Sequence, residues 1–324
     1  MTIVNTARRW AKTVLDRIVV KAKKITVPFF DGLPLYDVAN FFWKSMVDGA
    51  ITTRASAIAF NFILALFPAI IFMFTLIPYI PIDNFQVQLM NLLQSVLPDN
   101  AYLAIRGTIQ DIVTQPRGSL MSVGFFAAFI FSTNGLVSII VAFNGTIHAI
   151  ETRNIVSLYL IAFGLSIILT LLTTVSVAMI TVSQRVMEFL LARQFIRFDY
   201  VYYLLIGGKW LVILLLFFFA FAFLFYFAPA RKMKFRFISA GGTLATLLSI
   251  LISLGFSFYI NNFGRYNTLY GSIGTLVVVM LWFYFMSLIL LIGFELNVSI
   301  WSAQSKVNSD QAMRHDSRTS GQEV

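Results

Sequence analysis

The sequence predicts an all-α integral membrane protein: a six-transmembrane-helix bundle with amphipathic interfacial and periplasmic helices. Three observations predict it. Of 324 residues, 59% are hydrophobic and only 12% are charged, where a soluble domain carries roughly 25% charge. A single core could not hide that much apolar surface from water. Six stretches reach the roughly 20 apolar residues that a span requires, and the Lys and Arg residues crowd into the segments between and beyond them.

In chain order, residues 1–53 read as a basic cytoplasmic or interfacial helical segment. Arg8, Arg9, Lys12, Arg17, Lys21, Lys23 and Lys24 alternate there with Trp10, Val14 and Ile18, which suits a helix lying on anionic lipid. Pro28 and the Asp31-Gly32-Leu33-Pro34 turn break it. A second surface helix follows from Tyr36, with Phe41, Phe42 and Met46 as its apolar positions. The six-helix domain occupies 54–301, with spans at about 55–79, 120–146, 155–182, 204–228, 237–260 and 272–300. Pro68 predicts a kink in the first. The amphipathic stretch 83–115, interrupted by Pro98, reads as two helices on the outer surface, and 185–203 reads similarly. The polar tail, 302–324, is expected to be disordered. The first span follows about 50 residues of basic chain and is expected to act as an uncleaved anchor.

Charge placement sets the expected orientation. Of 24 Lys and Arg residues, nine lie in the N-terminal segment through Arg54, one in the 149–154 loop, four in 229–236 and three in the tail. Both termini are therefore expected on the cytoplasmic side of the membrane. The net charge of +10 follows from this anchoring pattern; no basic groove with interleaved aromatics points to nucleic acid. With no cysteine in the chain, disulfides, thiolate metal sites and cysteine nucleophiles are excluded.

Small and hydroxyl residues recur at helical spacing in three spans: Gly124 to Gly145 in the second, Ala162 to Val177 in the third, and Gly242, Thr246, Ser249, Ser253 and Ser257 in the fifth. Close helix packing explains such faces; a shared polar cavity is the functional alternative. On that alternative Asn134, Asn144, Ser249 and Ser253 are the substrate or cavity candidates, the two asparagines because a bare amide is costly within a span. Interhelical hydrogen bonding is the alternative for both. Glu295 is the only acid within an apolar span, near the same depth as Arg54 at the start of the first. The two are expected to pair, since lipid penalises each charge alone, either as a structural clamp or as a gate. Lys209 reads as a snorkelling interface residue.

Catalytic patterns are missing. His148 and His315 are the only histidines, and there is no HExxH, no phosphate-binding Gly-Lys-Ser/Thr loop and no GxSxG. Asp83, Asp99 and Asp111 are too scattered for a two-metal site. The sequence thus predicts no enzyme, no catalytic residue, no metal and no cofactor.

The C-terminal third is the most distinctive part. It reads Pro229-Ala230-Arg231, Gly255-Phe256-Ser257-Phe258-Tyr259, Tyr270-Gly271-Ser272-Ile273-Gly274, Trp282-Phe283-Tyr284 and Gly293-Phe294-Glu295-Leu296-Asn297. With Arg54-Ala55-Ser56-Ala57, Ala142-Phe143-Asn144 and Glu151-Thr152-Arg153, this order resembles the YihY/BrkB family of bacterial inner-membrane proteins over roughly residues 40–300. Ser56 and Phe60 stand where family members often show Ala and Tyr. The resemblance implies a six-helix bundle with cytoplasmic termini. It also carries the label ribonuclease BN, for which the chain shows neither a metal-ligand cluster nor a nucleic-acid groove, and a virulence-factor label that names a phenotype.

The functional expectation is a transporter or flippase-like protein for a lipid or amphiphilic envelope component, in contact with membrane lipids and without a nucleic-acid partner. Homo-oligomerisation is left open. A non-transporting membrane scaffold for envelope machinery is the alternative, and a membrane-embedded enzyme ranks third.

Overall fold

The computed structural model describes residues 30, 32–79, 115–146, 153–192, 199–230, 236–262 and 264–319, with single positions between 87 and 111. The basic segment 1–29, most of 83–115, and His148, Glu151 and Thr152 lie outside the described residues, as do the side chains of Lys209 and His315.

The described elements are helical. A short helix, α1 (Leu35–Asp48), starts after the extended Pro34. It buries Val38 and Ser45 and leaves Trp43 and Val47 exposed. Gly49 and Ala50 then turn the chain sharply into α2 (Ile51–Leu76). Ala50 takes φ 46°, the one positive φ at a non-glycine position among the described residues, a left-handed conformation costing roughly 1–2 kcal/mol. α2 runs through Pro68 as one helix and ends in a 3₁₀ turn, Ile77–Tyr79. There follow α3 (Gly118–Asn144), α4 (Ile155–Ala192), α5 (Asp199–Phe227), α6 (Ala240–Asn262) and α7 (Gly264–Thr319). Helices α2 to α7 are each long and apolar enough to cross a membrane.

Two helices outrun their apolar stretches. α4 continues to Ala192 where a break near Arg185 is expected from hydropathy, and α7 continues to Thr319 where a disordered tail is expected from Ser302. Hydropathy marks where lipid ends, whereas helix termination needs a breaker. Neither glycine nor proline occurs between Gly164 and Gly207, or between Gly293 and Gly321. At 1.5 Å per residue, the 56 residues of α7 span roughly 84 Å, far more than the roughly 30 Å hydrocarbon layer.

The helices form a ring. Each of α2 to α6 packs on the next, and α7 closes the ring by packing on α2 and also carries α1. α2 and α3 stay close along their length because glycines remove the intervening side chains. A Cβ on Gly124 would lie 3.2 Å from the Phe72 backbone, and one on Gly135 would touch the Phe62 ring at 3.5 Å.

The core is not spread evenly along the ring. Its main cluster joins Ile51–Ile58, Leu136–Phe143, Ala162, Leu165, Leu224–Ala228, Ala245 and Ile289–Val298, all at the end where α1 lies. In the other half, Thr170, Thr173, Leu251, Leu254 and Phe258 are exposed, and a Cβ added at Gly255 would meet nothing within 4 Å. There, Ile109 and Met90 of the 83–115 stretch pack against Phe74 and Ile77.

Candidate functional site

The packed end holds a buried ionic centre. Arg54, in the first turn of α2, donates from Nη2 to Glu295 Oε1 at 2.6 Å and from Nη1 to the Ala142 carbonyl at 2.7 Å. Thr146, just past α3, donates from Oγ1 to Glu295 Oε2 at 2.7 Å. Glu295 is 0% exposed and the Arg54 side chain 13%. Both carboxylate oxygens thus accept a short bond, and the arginine neutralises the charge within a shell that water barely reaches. One residue pair ties together the first span, the end of the second and the last.

Aromatic rings sit beneath this centre. Phe143 and Phe294 stack with centroids 3.9 Å apart and planes 8° from parallel. Phe225 of α5 leans on both, at 5.8 and 6.0 Å. Phe294 and Glu295 are consecutive, so one turn of α7 supplies both the apolar plug and the charge. On this side the apolar rings lower the local dielectric and strengthen the ionic contact.

A second polar cluster fixes α6 to α7. Ser239 caps α6, its Oγ accepting the Gly242 N–H at 3.0 Å. Asn297, on α7, accepts the Gly241 N–H at 2.8 Å and donates to Ser239 Oγ at 3.0 Å. The helix N-terminus, which would otherwise present bare N–H groups, is thereby satisfied from two sides. Replacing Asn297 with Leu is expected to cost about 1–2 kcal/mol, read as an earlier midpoint in a detergent unfolding titration. An unchanged midpoint would count against the cap.

The remaining sequence candidates take separate positions. Asn144 Oδ1 accepts the Ala230 N–H at 2.6 Å, and Arg153 donates to the Phe227 and Pro229 carbonyls, so these side chains pin the turn that follows α5. Asn134 is half-buried between α3 and α4, where the Tyr159 hydroxyl reaches its Oδ1 at a long 3.4 Å. Ser249 is buried and Ser253 half-buried on α6. Many span hydroxyls bond within their own helices instead: Ser138, Ser166, Thr173, Thr174, Ser176 and Thr246 all donate to carbonyls three or four residues back. Of the named candidates, Arg54 and Glu295 are the two in direct contact. Thr146, Ser239 and Asn297 were not singled out as site residues from the sequence. A hydroxyl or amide at a span end carries no charge signal, although Asn297 does fall in the Gly293–Asn297 motif.

Among the described residues, no group of three or more His, Asp or Glu is placed to hold a metal ion.

Comparison with known proteins agrees on the family. The chain is 28% identical over 246 residues to a ribonuclease-like protein, YfkH, of Bacillus subtilis, covering 76% of this chain and 88% of that one. It is 26% identical over 270 residues to a UPF0761 membrane protein of Stenotrophomonas maltophilia, covering 81% of this chain and 60% of the relative. A UPF0761 membrane protein of Xanthomonas campestris is 23% identical over 311 residues, covering 93% and 65%. The chain therefore spans less than two thirds of the length of both UPF0761 relatives. No solved structure matches it. The family described as virulence factor BrkB matches residues 42–318, a range that takes in α2 to α6, nearly all of α7 and both polar clusters; this multi-pass membrane protein belongs to the BrkB virulence factor family.

Proposed function

We propose that this protein is a transporter or flippase-like protein that moves a lipid or amphiphilic envelope component across the bacterial inner membrane. In this reading both termini are cytoplasmic, the α1 end of the ring faces the cytoplasm, and Arg54 and Glu295 form a latch that holds that end shut. The observation that carries it is the buried ion pair joining the first and last spans at the packed end of the ring. A buried pair of opposite charges is an expensive way to hold two helices together. It suits an element that has to exchange partners. The less packed opposite half, where Met90 and Ile109 rest on Phe74 and Ile77, would admit an amphiphile from the outer leaflet.

No ATP-binding motif occurs in the sequence, so transport would be passive, ion-coupled or driven by a partner. The ribonuclease-like name of the Bacillus relative is not carried over, because the acids are dispersed along the sequence and Glu295, the one buried acid among the described residues, is already paired with arginine. In this reading the protein is not an enzyme.

The test is mass spectrometry of lipids and small amphiphiles that co-purify with the protein in native nanodiscs, beside an unrelated six-span protein from the same membranes. A species enriched with the wild type and lost in Glu295→Gln is expected. That variant keeps an acceptor for Arg54 while removing the charge. A profile identical to the control refutes the reading.

A scaffold role draws on one observation: Trp43 and Val47 form an exposed apolar pair on α1, at 70% and 64%. If the protein organises envelope machinery through that face, a Trp43→Ala variant loses function and Glu295→Gln keeps it.

A further inference from the structure

Buried polar atoms nearly always have hydrogen-bond partners, and each exception asks for an explanation. Beside the ionic centre four such atoms have none: Ser45 Oγ on α1, Arg54 Nε on α2, and Ser299 Oγ and Ser302 Oγ on α7. Ser45 and Ser299 are both 0% exposed.

Their placement is orderly. Ser299 and Ser302 follow Glu295 by four and seven residues, so the three occupy one face of α7, running from the ion pair away from the bundle centre. α1 lies against this part of α7, where Leu33 and Val38 pack with Ile300 and Ala303. The Ser45 carbonyl accepts the Gly49 N–H at 2.9 Å, and a Cβ on Gly49 would stand 3.2 Å from Arg54 Nη2. The Ser45 turn therefore abuts the guanidinium. Left bare, a buried hydroxyl bears its full desolvation penalty. Bridging water removes that penalty where several polar partners line one seam.

We propose that the seam between α1 and the end of α7 holds a file of buried water leading from the cytoplasm to Arg54 and Glu295, and that protons reach Glu295 along it. The proton comes from cytoplasmic water, is relayed past Ser302 and Ser299, and ends on a carboxylate oxygen of Glu295, giving the neutral acid. Arg54 keeps its charge and its bond to the Ala142 carbonyl. The ionic link between α2 and α7 becomes a weaker neutral hydrogen bond, so the latch can part. This inference rests on the transport reading and names its coupling ion as the proton. Arg54 is the charged group set directly on Glu295. On α1, Lys44 and Asp48 are exposed and Asp37, in the first turn, is half-buried; α3 and α6 carry no charged residue, and Arg153 is engaged with carbonyls of the turn after α5.

The chain has no cysteine, so one substitution introduces a unique thiol. Ser299→Cys and Ser45→Cys would be exposed to silver ion, a probe close to water in size, in inside-out and right-side-out vesicles. Surviving thiols are then counted with a maleimide after denaturation. Ala245→Cys, at a site that is 0% exposed within the apolar core, is the dry control. Both seam thiols are expected to react from the cytoplasmic face on the order of tenfold faster than the control, whose thiol needs a local opening first. Rates equal to the control, or reaction from the periplasmic face alone, would overturn the water file.

The proton is read separately, by infrared difference spectroscopy of the wild type on acidification. A carboxylic-acid carbonyl band absent from Glu295→Gln is expected, and spectra that match in the two proteins would overturn proton uptake at Glu295. Neither experiment measures transport. Failure here leaves the lipid-enrichment result standing, and failure there leaves these two standing.

Discussion

Glu295→Leu is expected to destabilise the protein by about 3–5 kcal/mol, because it strands the Arg54 guanidinium in a buried site without its counter-charge. Arginine cannot escape by releasing its proton, and its one remaining hydrogen bond, to the Ala142 carbonyl at 2.7 Å, does not neutralise it. Arg54→Met is expected to cost less. Thr146 still donates to one of the Glu295 oxygens there. The double variant, with Met at 54 and Leu at 295, should recover most of the loss, since well-packed apolar side chains often replace a buried ion pair without penalty. Unfolding titrations of the four proteins form a double-mutant cycle that isolates the pair. If the two single variants prove equally mild, or the double variant is as unstable as Glu295→Leu, the ion pair is not the element that holds α2 to α7. The same double variant separates latch from clamp. A latch loses transport although stability returns, whereas a clamp keeps it.

That Arg54 and Glu295 meet was legible in the sequence because lipid leaves buried charges so few options. Glu295 is the one acid in the spans, and the basic residue at matching depth is Arg54. The six-helix count was legible for a similar reason, since hydrocarbon demands about 20 apolar residues at every crossing. The rest of the site was not. Thr146 and the Ala142 carbonyl complete the ionic centre through a hydroxyl and a backbone oxygen, neither of which stands out in a chain rich in both. Asn144 shows the reverse problem. Its amide is conspicuous in an apolar span, but only three dimensions reveal that its oxygen serves the Ala230 N–H. α4 and α7 run on past their apolar stretches because hydropathy reports the edge of lipid, while the backbone keeps its helix until a residue stops it. Among the glycines, spacing drew attention to Gly242 on α6, yet the closest helix contact falls at its neighbour.

That contact carries the second large prediction. Gly241 on α6 and Gly293 on α7 face each other so closely that a Cβ on Gly241 would fall on the Gly293 carbonyl oxygen and stand 2.7 Å from Asn297 Cγ. A Cβ on Gly293 would lie 2.6 Å from the Gly241 carbonyl oxygen and 2.8 Å from Ala245 Cβ. Backbone oxygens in the middle of a helix contact cannot swing aside as a flexible side chain would. One methyl group at either position must therefore push the helices apart. Gly241→Ala is expected to cost about 1–3 kcal/mol or more through overpacking, and lipid supplies no hydrophobic force to close the gap again. Gly255→Ala, where the new Cβ would meet nothing within 4 Å, should be neutral or gain up to about 1 kcal/mol of helix propensity. The comparison reaches the α6 cap as well. Separation at Gly241 also breaks the 2.8 Å bond from its N–H to Asn297, so Gly241→Ala and Asn297→Leu remove overlapping interactions. Their combined loss should fall short of the sum of the single losses. Additive losses would mean that the glycine contact and the cap hold α6 independently, and that spreading the helices leaves the cap in place.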